Sequence, residues 1–101
     1  MQPSPKLSEV ISGVRYTVGT ASLLASNEYW DGHNWERGGR NTHLYRSPKG
    51  YYFAAHTSQW QDETSYIETL TTGRAQELFE DLREHEVDYD IAFPETPAVE
   101  A

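Results

Sequence analysis

The residues with the most evident chemistry are carboxylates near the C-terminus. Glu77, Glu80, Asp81 and Glu84 recur at i, i+3, i+4 and i+7, and Glu86, Asp88 and Asp90 continue the run. On a helix this spacing puts carboxylates one or two turns apart along one face, roughly 5–10 Å from each other. Phosphates along one DNA strand advance by about 3.4 Å of helix axis. The match is loose, but such an array can occupy a phosphate-binding groove on a protein that handles nucleic acid. The plainer reading is the solvated exterior of a helix. A second set has the opposite sign. Arg37, Arg40, Arg46 and Lys49 lie among Trp35, Tyr45, Tyr51 and Tyr52. Basic residues interleaved with aromatic ones can hold phosphates and stack bases, and an ordinary hairpin whose long side chains cover tyrosine rings has the same pattern.

Catalytic and metal chemistry find less support. The histidines are His33, His43, His56 and His85, and no two have the i, i+4 spacing of a zinc helix. Ser58, His56, Asp62 and Glu63 are close in sequence, but only geometry would give that grouping meaning. Gly-x-Ser-x-Gly is absent. Gly38-Gly39 between Arg37 and Arg40 can meet a phosphate, although Glu36 opposes it. No catalytic residue, metal ligand or cofactor is assigned, and a non-enzymatic protein is expected.

The charge is unevenly spread. Residues 1–61 hold six basic and four acidic side chains, whereas 62–101 hold two and twelve, for a net charge of −8. A field of that sign repels nucleic acid and attracts basic surfaces; solubility alone is the competing explanation. The 101 residues suffice for one domain, and the absence of cysteine excludes disulfides, thiolate zinc sites and a cysteine nucleophile. No apolar run approaches the ~20 residues of a membrane span. Met1 to Glu9 does not read as a secretory leader, so a cytoplasmic location is expected.

These groups need a scaffold. Residues 1–8 and 94–101, each with two prolines, are expected to be flexible tails around a single domain over 9–93. Val14, Tyr16 and Val18 alternate with polar residues as in a strand, and Gly19 is a candidate bulge. Residues 22–30 read as a second strand, with a helical turn after Thr20 as the rival. Residues 31–41 and 57–65 read as loops. Ser47-Pro48-Lys49-Gly50 is a type I turn closing a hairpin over 42–57, with Tyr45 opposite Phe53 and His43 opposite Ala55. Tyr66 to Leu70 suits a short strand. Thr71 or Thr72 can cap a helix running from Thr72 to about His85, whose apolar face is Ala75, Leu78, Phe79 and Leu82. Val87, Tyr89, Ile91 and Phe93 alternate as in an edge strand; a short helix capped by Asp88 is the alternative. The expected fold is α+β: an antiparallel sheet of three or four strands with one C-terminal helix packed on a face.

Three segments carry a resemblance: Thr20-Ala21-Ser22-Leu23-Leu24-Ala25, then Leu44-Tyr45-Arg46 through Gly50-Tyr51-Tyr52-Phe53, then Ile67-Glu68-Thr69-Leu70 ahead of a helix. Together, over roughly residues 16–93, they resemble a loose group of small bacterial, phage and plasmid proteins. That group shows Thr-Ala-x-Leu-Ile-Ala, Leu-Tyr-Arg-x-x-x-Gly-x-Trp/Tyr-Phe and Ile-x-Pro-Leu-Ser. Thr69 stands where the pattern has proline, and Thr72-Gly73-Arg74 replaces glutamates at the helix start. The resemblance carries no catalytic residue across. It implies a mobile-element setting, where small acidic proteins inhibit host defence nucleases as anti-CRISPR proteins do. The resulting expectation is an inhibitor of a basic, nucleic-acid-handling protein such as a CRISPR effector. Glu77, Glu80, Asp81, Glu84, Glu86, Asp88 and Asp90 would steer the partner, and Trp30, Trp35, Tyr51, Tyr52 and Trp60 would anchor it. A nucleic-acid-binding regulator using the 37–49 region and a self-associating module, such as a homodimer, are the alternatives.

Overall fold

The local signals of the sequence meet in one antiparallel sheet. The computed structural model describes residues 3–27, 40–58 and 65–100. Among these, β1 (Ser8–Ile11) and β2 (Val14–Thr17) form a two-stranded hairpin, and a 3-10 turn covers Val18–Thr20. Then come β3 (Ser22–Ser26), β4 (Arg40–Arg46), β5 (Tyr52–Ser58), β6 (Tyr66–Leu70), α1 (Thr72–Asp81), β7 (Glu84–His85) and α2 (Tyr89–Ala92). The main sheet has the order β6-β5-β4-β3-β7. The class is α+β with a helix packed on the sheet, but with five strands rather than three or four and a separate hairpin beside them. Two helices replace the single one expected.

The β4–β5 hairpin is built as its turn chemistry demands. Ser47 N–H donates to the Tyr51 carbonyl at 2.8 Å and Gly50 N–H to the Ser47 carbonyl at 2.9 Å. Gly50 takes φ 93°, which a side chain would disfavour. The register pairs His43 with Ala55 and Tyr45 with Phe53. Alternation then gives the sheet two apolar faces. Leu44 and Tyr52 join Leu24, Ala25, Ala75, Phe79, Leu82 and Phe93 under the helices. Tyr45, Phe53, Ala55 and Ile67 face the other way and are covered by Tyr16 and Val18. A register shift between Leu23 and Ala25 lets Leu24 and Ala25 both reach the helical side while Leu23 packs on the other.

Sequence expectations fail where distant contacts decide. The helix was expected to reach His85 but ends at Asp81, with Leu82 already extended at ψ 140°. Its last turn holds no basic residue, and Glu77/Asp81 and Glu80/Glu84 are like charges at i, i+4. Both features weaken a helix C-terminus, while Glu84 and His85 gain a ladder with Ser26 and Ala25. The expected edge strand over 87–93 is instead α2: Ile91 and Ala92 N–H groups both donate to the Asp88 carbonyl at 3.0 Å. Asp88 holds the cap position without a side-chain cap bond.

The N-terminal segment, expected to be a flexible tail through Ser8, is tied to the body. Pro3 is buried, Val18 N–H donates to the Leu7 carbonyl, and Gly19 N–H donates to the Pro5 carbonyl at 3.0 Å. Gly19 is therefore a point of close approach, not a bulge: a Cβ there would lie 2.7 Å from the Pro5 carbonyl oxygen. Residues at the other end are also bonded. Thr96 accepts from Gln76 Nε2 at 2.8 Å, and Ala98 N–H donates to Asp90 Oδ1 at 2.9 Å. Among the described residues no helix is long and apolar enough to cross a membrane.

Candidate partner-binding groove

The acidic run is organised by the C-terminal end of α1. Thr71 caps the helix start, its hydroxyl oxygen accepting from Arg74 N–H at 3.1 Å. Leu70 packs just outside. From this start the 3.6-residue period buries Ala75, Phe79 and Leu82 and turns Glu77, Glu80 and Asp81 to solvent. The chain then reverses through β7. His85 Nε2 donates to the Phe79 carbonyl at 2.7 Å, and its ring stacks on Phe79 at 4.0 Å. Glu86 N–H donates to the Leu24 carbonyl at 2.9 Å. Tyr89 packs edge-on against Phe79 at 5.7 Å and lies 4.9 Å from Phe93. These contacts fix α2 opposite the end of α1.

A groove of about 570 Å³ lies between them. Its apolar surface comes from Phe79, Val87, Tyr89 and Ile91, and its carboxylates are Glu80, Glu86 and Asp88. Ile91 is 63% exposed, an uncovered aliphatic side chain on an otherwise charged surface. Among the described residues no lysine or arginine lines the groove. Apolar surface bordered by carboxylates suits a basic amphipathic segment, whose stem lies on Ile91 and Val87 while its charge reaches the acids.

The seven carboxylates singled out in the sequence therefore separate. Glu80, Glu86 and Asp88 share the groove. Glu77 pairs with Arg74 at 3.5 Å, Asp90 accepts from Ala98 N–H, and Asp81 and Glu84 are exposed without lining the groove. The aromatic set separates as well. Trp30, Trp35 and Trp60 lie outside the described residues. Tyr51 is 48% exposed, whereas Tyr52, expected to anchor a partner, is buried at 8%. Its hydroxyl donates to the Ala92 carbonyl at 2.9 Å and its ring stacks on Phe93 at 5.0 Å. Tyr52 ties β5 to α2 and is not a surface anchor.

Sequence reasoning missed Val87, Ile91 and His85 as groove residues. Their i, i+4 pair, Val87 and Ile91, was a helical signal inside a pattern that also fits period two. His56 instead meets partners on neighbouring strands: its Nε2 lies 2.8 Å from Glu68 Oε1 and its Nδ1 lies 3.3 Å from Thr42 Oγ1. His56 lines neither this groove nor the cleft between the β1–β2 hairpin and the Ser47–Gly50 turn. Asp62 and Glu63, grouped with it in sequence, lie outside the described residues. His43 and His56 stand on opposite sheet faces, as the register requires. Among the described residues no three metal-ligating side chains cluster. Compared with protein-family models, with curated proteins and with solved structures, the chain matches none.

Proposed function

We propose that the chain is a non-enzymatic binding protein that captures a basic segment of a nucleic-acid-handling protein in the α1–α2 groove. The observation that carries this reading is the pairing of exposed Ile91 with Glu80, Glu86 and Asp88 around one groove of about 570 Å³ that, among the described residues, no lysine or arginine lines. The mobile-element resemblance makes a host defence nuclease, such as a CRISPR effector, the partner of choice. Bound there, the chain acts as an anti-CRISPR-like inhibitor by competing for a surface that otherwise holds phosphates. Self-association through the sheet is less favoured: on the outer edge of β6, Ile67 N–H is taken by Glu9 Oε1 at 3.2 Å, and the opposite edge strand is two residues long.

The test is affinity capture from nuclease-treated host lysate on wild type and on the Glu80→Lys/Glu86→Lys/Asp88→Lys variant. The expected result is a basic nucleic-acid-handling protein that wild type retains, that salt releases and that the variant does not hold. Equal retention by the variant, or no basic protein retained by wild type, overturns the reading.

A further inference from the structure

A second cleft has the opposite charge. It lies where the β1–β2 hairpin meets the Ser47–Gly50 turn, on the sheet face away from α1, and encloses about 400 Å³. That is within the range of small-ligand sites, about 300–1,000 Å³. Among the described residues its lining includes Arg15, Thr17, Thr20, Ser47, Lys49 and Tyr51, and no carboxylate. In a chain of net charge −8 this is an inversion of sign. Among the described residues neither Arg15 nor Lys49 makes an ion pair. Glu95 shares an adjoining pocket with Lys49 but does not line this cleft, and charges more than about 8 Å apart are largely screened at physiological salt.

The scaffold holds these groups in place. Ser12 and Gly13 take φ 53° and 81°, closing β1 on β2 in a two-residue turn with both central residues left-handed. Arg15 follows on β2 opposite Val10. Across the cleft, Ser47 Oγ accepts from Tyr51 N–H at 3.0 Å, leaving its own proton to donate. Tyr51 is 48% exposed. Its one aromatic contact among the described residues is perpendicular, to Tyr16 at 6.2 Å. Two cations, a hydroxyl donor and an exposed ring together fit an anion attached to a planar group.

We propose that this cleft binds a nucleoside phosphate, with Arg15 and Lys49 on the phosphate and the Tyr51 ring against the base. The guanidinium and ammonium make charge-assisted hydrogen bonds to phosphate oxygens, and base stacking on an aromatic ring tolerates any base. The site shares no residue with the acidic groove and stands or falls independently of it. Either a free nucleotide or the end of a single strand supplies this chemistry.

Amide NMR titration of the whole chain with AMP, adenosine, inorganic phosphate and a 5′-phosphorylated oligothymidine tests it. AMP should shift the Gly13, Lys49, Gly50 and Tyr51 amides with a Kd on the order of 10–100 µM. Adenosine and phosphate alone should each bind about tenfold or more weakly. Arg15→Gln, Lys49→Gln and Tyr51→Leu, all at exposed positions, should each weaken AMP by about tenfold while keeping the wild-type amide pattern elsewhere. An oligonucleotide at least tenfold tighter than AMP identifies a strand as the source, and equal affinity identifies the free nucleotide. No shift at millimolar AMP, shifts confined to other surfaces, or unchanged affinity in all three variants overturns the proposal.

Discussion

Acid should unfold this domain through His43. The imidazole is fully buried on β4, and burial is the main reason its pKa falls from 6.5 to about 4. In the unfolded chain it takes up a proton near pH 6.5; in the native state it resists until about pH 4. Between those values the unfolded state binds one more proton, so stability falls as pH falls. The contribution is fully present above pH 6.5 and lost towards pH 4. At about 1.4 kcal/mol per unit, it amounts to about 2 kcal/mol between pH 7 and 5 and about 3 kcal/mol by pH 4. Each kcal/mol is worth about 4–8 °C in Tm for a domain of this size, so pH 5 should lower Tm by about 8–16 °C. The assay is urea unfolding followed by circular dichroism at pH 7, 6 and 5, for wild type and His43→Gln. Glutamine cannot titrate, so the difference between the two cancels the carboxylates. Wild type should lose about 2 kcal/mol more than the variant over this range. Curves parallel to within about 0.5 kcal/mol would refute the claim that the fold holds a neutral imidazole.

Three further outcomes test the packing of the scaffold. Tyr52→Phe leaves the Ala92 carbonyl without its 2.9 Å donor; it should cost about 1–3 kcal/mol in denaturant unfolding and leave AMP affinity unchanged. Gly19→Ala drives a Cβ to 2.7 Å from the Pro5 carbonyl oxygen, and calorimetry should find it destabilised by about 1–3 kcal/mol, with the N-terminal segment losing hydrogen-exchange protection first. Glu9→Ala uncaps Ile67 N–H on the β6 edge; sedimentation should show concentration-dependent association in the variant and a lower tendency in wild type.

Legibility in the sequence follows the range of the interactions. The Ser47–Gly50 turn and the Thr71 cap are decided within four residues, and both register and cap emerge as the local chemistry requires. The end of α1 is not local: it depends on Glu84 and His85 pairing with Ser26 and Ala25, a contact across most of the chain. The hairpin register placed Tyr51 and Tyr52 on opposite faces, but it could not say that α2 would cover Tyr52. For the same reason the carboxylates of the groove were legible and its apolar surface was not. Val87 and Ile91 line one groove where Asp88 starts a helix. The cationic cleft was least legible, since Arg15 and Lys49 come from separate hairpins.

The arrangement of acids on α1 bears on whether they serve solubility or recognition. Its first turn carries no acidic residue and its last turn no basic one, the reverse of what the helix dipole favours. Solubility needs charge but not at this end, and acids placed near Thr72 would give it at no cost to the helix. A small domain has little stability to spare, so carboxylates kept where they weaken the helix point to a role that needs them there. Two substitutions separate the explanations. Asp81→Lys and Glu80→Lys should each raise Tm by about 1–5 °C, because each complements the dipole and Asp81→Lys also relieves like-charge repulsion with Glu77. Only Glu80 lines the groove. Glu80→Lys should therefore weaken capture of the basic partner markedly more than Asp81→Lys does. If both variants gain stability and both hold the partner as wild type does, the acids are a solvated surface and the groove is not where the partner binds.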